Sequence, residues 1–360
     1  MYRIKNMDAS SVIFTLGRGP KLWGAGMAVL GGIFAVLGLA AAVGGGASGA
    51  AGIAGMGLAF FFAGCIVNQA RKEYPASFVF DNAAQHFIMK ARMGSESRIG
   101  YSEIESLCER YLRRRGHVVF MRTKEGAVFD LWASGWTASK KGLELARRLN
   151  ETIPFGDSAE RSPEPVLPRW VSAAVRGDTR WYAWKDRGAV MRLLLALGLF
   201  TGLVLATAGF SRSDANAGWI WYAAAGAIAA AAAAVLLLSL QMLLRVTVLA
   251  VSPERVRRGR ARTLDAALMS FRESKSMDRA RLVSVRYSFD TAQGLNEFIL
   301  FIDRESHDLL AKLREGDAPL SGMGEMVRSY FRIFKVHITG RPAPDLLEFS
   351  RVLGRDRHDR

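Results

Sequence analysis

No Asp or Glu falls inside any of the four long apolar runs of this sequence. Ion pumps and proton-coupled transporters usually need an ionisable side chain at membrane depth, so the absence argues against both. Cysteine is nearly missing, with 2 in 360 residues, which excludes a disulfide scaffold. Cys65 in the second run and Cys108 in an expected strand read as buried thiols. The five histidines, at 86, 117, 307, 337 and 358, include no His-Glu-x-x-His and no Cys/His metal spacing. His117 and His337 fall in expected strands and read as structural. "GRGPK" (Gly17–Lys21) lacks Walker spacing, and no nucleophile–base arrangement is legible. The expectation is a protein that is not an enzyme, with no catalytic residue, metal or cofactor.

Cations and apolar runs are abundant. Lys and Arg number 49 against 33 Asp and Glu, a formal charge of +16. Such a balance suits nucleic acid or an anionic membrane face. The apolar residues decide for the membrane. They cluster without period in Trp23–Val43, Ala50–Val67, Val190–Phe210 and Trp219–Leu244. About 20 helical residues cross a hydrocarbon layer of roughly 30 Å. The fourth run, rich in Ala, opens on Trp219, Trp221 and Tyr222, ring types that favour the interface, and stops at Arg245. Basic residues precede the first and third runs and follow the second and fourth, while "SRSDANAG" and the glycines 44–49 carry almost no charge. The positive-inside rule then puts both termini and the long central segment in the cytoplasm, with the membrane crossed by four helices in two hairpins. Small residues four apart (Ala28/Gly32, Gly38/Ala42, Ala51/Gly55, Ala59/Ala63, Ala223/Ala227, Gly226/Ala230) predict close packing between these helices.

The order hairpin, soluble segment, hairpin, soluble segment suggests an internal repeat. "LELARRL" (Leu143–Leu149) matches "LEFSRVL" (Leu347–Leu353), each following a strand and Ser-Gly or Thr-Gly. "VVFMRTKE" (Val118–Glu125) matches "ILFIDRES" (Ile299–Ser306), and "YSEIESL" (Tyr101–Leu107) matches "RARLVSV" (Arg279–Val285). Strands are expected at 77–81, 85–91, 104–111, 117–123 and 128–133, closed by a helix at 138–151. In the second copy they are expected at 246–251, 267–271, 282–289, 296–302 and 333–339, closed by a helix at 344–353. An insertion at 306–330 distinguishes the copies.

"IGYSEIESLCERY" (Ile99–Tyr111) and the closing strand–Gly–helix resemble bacterial membrane proteins in which a transmembrane hairpin carries a small cytoplasmic PH-like domain. The resemblance covers Ser77–Thr152 and Val246–Gly354. It implies an α-helical membrane protein with two small α+β PH-like domains, acting as an adaptor or scaffold, and it carries over no binding residue. About 75 residues is short for the family's seven strands and helix, so a reduced barrel or a flat α+β sheet stays open. The expected organisation is a cytoplasmic segment 1–22, hairpin 23–68, PH-like domain 69–155, linker and interfacial segment 156–189, hairpin 190–244, PH-like domain 245–354 and tail 355–360.

Three basic groups stand out. "RVRRGRAR" places Arg255, Arg257, Arg258, Arg260 and Arg262 just after the fourth run. "YLRRRGH" places Arg113, Arg114 and Arg115 in an expected turn, and Leu167–Arg187 mixes Arg with Trp170, Trp181 and Trp184 just before the third run. All eleven residues are candidate contacts to lipid headgroups of the anionic inner leaflet. The sequence-based reading is a scaffold, regulator or assembly factor meeting lipid or an unidentified protein, with homo-oligomerisation open and nucleic acid disfavoured. Its rivals are a small channel or transporter of oligomerised Gly/Ala-rich helices, and a membrane enzyme acting on a lipid.

Overall fold

The computed structural model describes residues 2–8, 10–16, 19–43, 49–72, 74–92, 94–112, 116–124, 128–133, 141–153, 163–211, 218–269, 271–290, 296–303, 334–338 and 340–355. The expected insertion at 306–330 and Arg113–Arg115 lie outside these residues.

The chain forms two compact units. One is built of strands and short helices; the other holds the four long helices.

In the first unit, β1 (Tyr2–Met7), β2 (Ser11–Leu16), β3 (Ser77–Asp81), β4 (His86–Lys90) and β5 (Glu96–Gly100) make an antiparallel meander. The neighbours β2 and β3 are separated in sequence by two helices, α1 (Gly19–Val43) and α2 (Ala50–Lys72), yet pair from Ser11↔Asp81 to Thr15↔Ser77. Alternation explains β2: Val12 and Phe14 are buried, and Ser11, Ile13 and Thr15 are not. Asp8 fixes the turn before β2 by accepting from Ser10 N, Ser10 Oγ and Ser11 N. The hydrogen bonds from the Ser10 hydroxyl and then from the Ser11 amide hold the Asp8 carboxyl down at about 2.

The second half repeats the arrangement. Strands β9 (Ser172–Arg176) and β10 (Thr179–Trp184) precede α4 (Arg187–Ser211) and α5 (Gly218–Leu243). Strands β11 (Val246–Val251), β12 (Arg255–Ala261) and β13 (Arg272–Asp278) follow, giving a second five-stranded meander in which β10 pairs β11.

Each meander turns through one 3-10 turn, Tyr101–Glu103 or Arg279–Arg281, into three more strands. These are β6 (Ile104–Leu112), β7 (Gly116–Thr123) and β8 (Val128–Ala133), then β14 (Leu282–Asp290), β15 (Asn296–Asp303) and β16 (Phe334–His337). The two triplets join into one six-stranded sheet, β8 running parallel to β14 at Ser288↔Val128 and Phe289↔Phe129. Helix α3 (Lys141–Thr152) packs on β6 and β7. The last helix, α7 (Ala343–Arg355), packs on β14 and β15 and also on β4 and β5 of the first half. One continuous core results. Phe87 lies 5.7 Å from Phe129, which lies 5.8 Å from Tyr287. Phe349 of α7 meets Trp170, Tyr182 and Trp184 edge-on at 5.6–5.8 Å.

Several expectations are corrected. Residues 1–22 and 156–189 are not merely a segment and a linker: each contains a β-hairpin belonging to a five-stranded sheet. With these hairpins each half holds eight described strands. Of the strand expected at 267–271, Ala267–Met269 are instead the end of a short helix, α6 (Leu264–Met269), lying on β9, β10 and β12. Strands β5, β12 and β13 were not expected at all. Cys65 and Cys108 are half-buried rather than buried.

In the second unit, two stretches, Gly24–Val43 and Ala50–Asn68, are long and apolar enough to cross a membrane by length and composition. The described apolar parts of α4 and α5, Leu193–Ala208 and Tyr222–Leu237, are shorter. The helices pack in sequence, α1 on α2, α2 on α4 and α4 on α5. Glycine makes the close approaches. A Cβ on Gly38 would lie 2.5 Å from Ala54 N, and one on Gly202 2.6 Å from Ala59 N. On α5 the expectation fails: Ala223, Gly226, Ala227 and Ala230 are exposed, whereas Ala224, Ile228, Ala231 and Val235 are half-buried.

Candidate functional site

The basic run after α5 is a strand, so its arginines alternate between two faces of the sheet. Val256, fully buried in the core, defines one face. Arg255 and Arg257 point to the other. Arg257 lies 5.9 Å from the ring centre of Trp181 and 5.6 Å from that of Phe271, which cross edge-on at 5.3 Å. Gly259 shares this face because the Phe271 ring occupies the space of a Cβ.

Pairing with β13 completes the pattern. Arg255 stands opposite Asp278, Val256 opposite Met277, Arg258 opposite Lys275, Gly259 opposite Glu273, and Arg260 opposite Arg272. A bulge between Arg258 and Gly259 leaves Ser274 as the extra residue of β13. Period-2 alternation on either side of it puts Arg258, Arg260, Lys275 and Arg272 on the Val256 face. The acids of β13, Glu273 and Asp278, lie on the opposite face. The Lys275 ammonium sits 5.8 Å from the ring centre of buried Phe334. Burial, and then the Arg258 charge, push the Lys275 pKa below the usual lysine range.

Of the expected headgroup contacts, the arginines of β12 are half-buried or exposed, and Arg262 is exposed. Two of the tryptophans, Trp181 and Trp184, are corrected. Trp184 is 2 % exposed and belongs to the core around Phe349, and Trp181 is covered by Phe271 and Arg257. Trp170 is half-buried, donates from Nε1 to Asp345 Oδ2 at 3.1 Å and has the Arg341 guanidinium 4.8 Å over its ring. These rings are bound by α7 and the segment before β12's partner, leaving Trp181 and Trp184 no surface for a lipid. Arg272 and Lys275 escaped the sequence reading, because the strand that carries them pairs with β12 only after the α6 excursion.

Other polar clusters are structural. Tyr101 donates to Asn82 Oδ1 at 2.9 Å, and Asn82 Nδ2 donates to Thr152 O at 3.1 Å, tying the end of α3 to the first sheet. Asn150 of α3 donates to Leu107 O at 2.9 Å and accepts from Leu107 N at 3.2 Å, satisfying the outer edge of β6. Ser97 donates to Glu348, which also pairs with Arg351 at 3.2 Å, across the junction of the halves. Among the described residues no group of three His, Cys, Asp or Glu could hold a metal ion.

Comparison of the chain with protein-family models, curated proteins and solved structures finds no match.

Proposed function

We propose that this chain is a multi-pass protein of the bacterial inner membrane whose four long helices anchor two PH-like domains on the cytoplasmic side, and that it works without catalysis, as a scaffold, regulator or assembly factor. One observation carries the reading: in both halves the helical pair is inserted between two strands that pair with each other, β2 with β3 and β10 with β11. Paired strands lie about 4.8 Å apart. The two ends of each insertion therefore leave and return to one side of any membrane, so the helices of an insertion cross together. Both insertions depart from a single body with a shared core, which favours entry of both from the same face. Basic flanks make that face the cytoplasmic one. The membrane surface beside such a body is anionic lipid, and the cations of β12 and β13 supply charge for it. A soluble body held to the membrane by four chain connections suits the gathering of a protein partner at the inner surface.

The test is a set of topology reporters on the full chain. Fusions after Thr152 and after Arg360 should report the cytoplasm, and an insertion at Gly46 the exterior. An exterior signal from the Thr152 fusion would discard the reading.

A further inference from the structure

We propose that the outer edge of β9 is where a second copy of this chain docks, β9 pairing antiparallel with its own counterpart about a two-fold axis at Ala174. The observation is an unprotected edge. Six described strands end the three sheets: β1, β5, β6, β9, β13 and β16. An edge strand is a template for another chain unless a charge, a bulge, shortness or a covering group blocks it. Five of the six carry such a device. Strand β1 has Arg3, Lys5 and a bulge between Ile4 and Asn6. Strand β13 has a bulge and four charged residues in seven. On β5, Arg351 of α7 donates to Arg98 O at 3.3 Å, and on β6 Asn150 holds Leu107. Strand β16 is only four residues long. Strand β9, "SAAVR", has none of these: its register with β10 is unbroken, Ser172–Val175 carry no charge, and every residue but Ala174 is exposed.

The register follows from the hairpin. Gly177 and Asp178 form a two-residue turn closed by the pair Arg176↔Thr179, and such a closing pair is hydrogen-bonded. Alternation gives Ala174↔Trp181 and Ser172↔Ala183 the remaining bonds to β10 and turns the N–H and C=O of Ala173 and Val175 outward. An axis at Ala174 sets Ala173 against Val175 of the second copy and Val175 against Ala173 of the second copy, so all of these outward groups bond. Moving the axis by one residue would bring into the ladder either Gly177 of the turn or Val171, whose N–H already donates to Pro168 O at 2.9 Å. The same two turns close the free edge at both ends and leave a window of five residues, the length of β9 itself. Ser172 meets Arg176 of the second copy, so no like charges face each other. Arg176 is also turned aside, donating to Leu268 O of α6. Exposed apolar side chains border the edge on both faces. Val175, 70 % exposed, lies on the Tyr182 face; Met269, 82 % exposed, lies on the other, its Sδ 3.8 Å from Arg176 Nη1. A foreign strand selected by charge would find none on Ser172–Val175. The two-fold pairing uses up the edge of both copies, so assembly stops at two.

The experiment uses the full chain with Cys65→Ala and Cys108→Ala, oxidised by copper phenanthroline in the cells that express it. Facing residues of a non-hydrogen-bonded antiparallel pair have Cα atoms about 4.5 Å apart, within disulfide reach. Ala174→Cys sits on the axis and should give a reducible product of twice the chain mass. Ser172→Cys, exposed on the same strand, would stand about 13 Å from its counterpart and should give about tenfold less. Val175→Pro removes an outward N–H and leaves the bonds to β10, so it should abolish the Ala174→Cys product while the chain keeps its melting temperature. Val175→Lys, which changes only an exposed side chain, should act likewise and reads the pairing if the proline variant melts early. In detergent the parent chain should have the mass of two copies. A parent mass of one copy, no product from Ala174→Cys, or a product of any other mass would overturn the pairing. So would equal products from Ala174→Cys and Ser172→Cys, or survival of the product in both Val175 variants.

Discussion

Asn150 and Gly354 occupy matching places in the two closing helices, as "LELARRLN" and "LEFSRVLG" align. Asn150 satisfies both backbone groups of Leu107, so the outer edge of β6 offers a second chain no free pair at that point. Gly354 has no side chain to do this, and β14, the counterpart of β6, joins β8 instead. Asn150→Ala should destabilise the strand-built unit by about 1–3 kcal/mol, the cost of stranding edge groups. Denaturant unfolding of the full chain checks it, and no measurable change would show that water replaces the amide at no cost. Phe349 carries more. It is fully buried among Trp170, Tyr182 and Trp184, and Phe349→Ala should cost about 3–5 kcal/mol. The tryptophans also show where sequence reading fails. Arg and Trp beside an apolar run match the composition of a membrane interface. They match equally well a strand covered on both faces, which is what Trp181–Trp184 is, with all four residues buried. Composition carries no record of which helix will lie on the strand.

At the scale of elements, the distance to a partner did not decide what was legible: β5 and β9 pair with sequence neighbours and were missed, whereas β11, whose partner β10 lies beyond two helices, was expected. Strands β3, β4, β6, β7 and β8 pair with sequence neighbours, and their expected limits fall within a few residues of the observed ones; β3 alternates cleanly, whereas β4 is buried from His86 to Met89. Strand β2 alternates as clearly, with Val12 and Phe14 inward, but its second partner begins only at Ser77, beyond two helices. The arginine-rich β12 hid its strand character because only Val256, Gly259 and Ala261 turn to buried surroundings. Among the helices, small residues mark contact only where a neighbour exists. Gly38 and Gly202 face backbone, whereas Gly226 faces open space. Gly202→Leu should force α2 from α4 and lower the Tm of the detergent-solubilised protein by several degrees, with Gly38→Leu acting likewise between α1 and α2. Gly226→Leu should leave it unchanged. Equal losses at all three positions would mean that helix propensity, rather than close approach, sets the effect.

At the scale of the whole molecule, the two halves share, among the described residues, one order of elements: two strands, a helical pair, three strands, a 3-10 turn, three strands and a helix, with α6 added in the second. The sequence correspondences at 101–107, 118–125 and 143–149 fall on matching elements of the other half. The central claim is that each helical pair interrupts a sheet, so that the strand before it returns to pair with the strand after it. Paired cysteines test this most directly. In a background without Cys65 and Cys108, Thr15→Cys with Ser77→Cys reports β2 against β3, and Arg180→Cys with Val251→Cys reports β10 against β11, since facing positions in an antiparallel pair come within disulfide reach. Ser106→Cys with Arg122→Cys, which face each other between β6 and β7, serves as a pair that no helix separates. Oxidation in native membranes should close all three, on the full-length chain. Closure of the Ser106–Arg122 pair alone would contradict the account, because the N-terminal and central hairpins would then stand apart from the sheets that follow the helices.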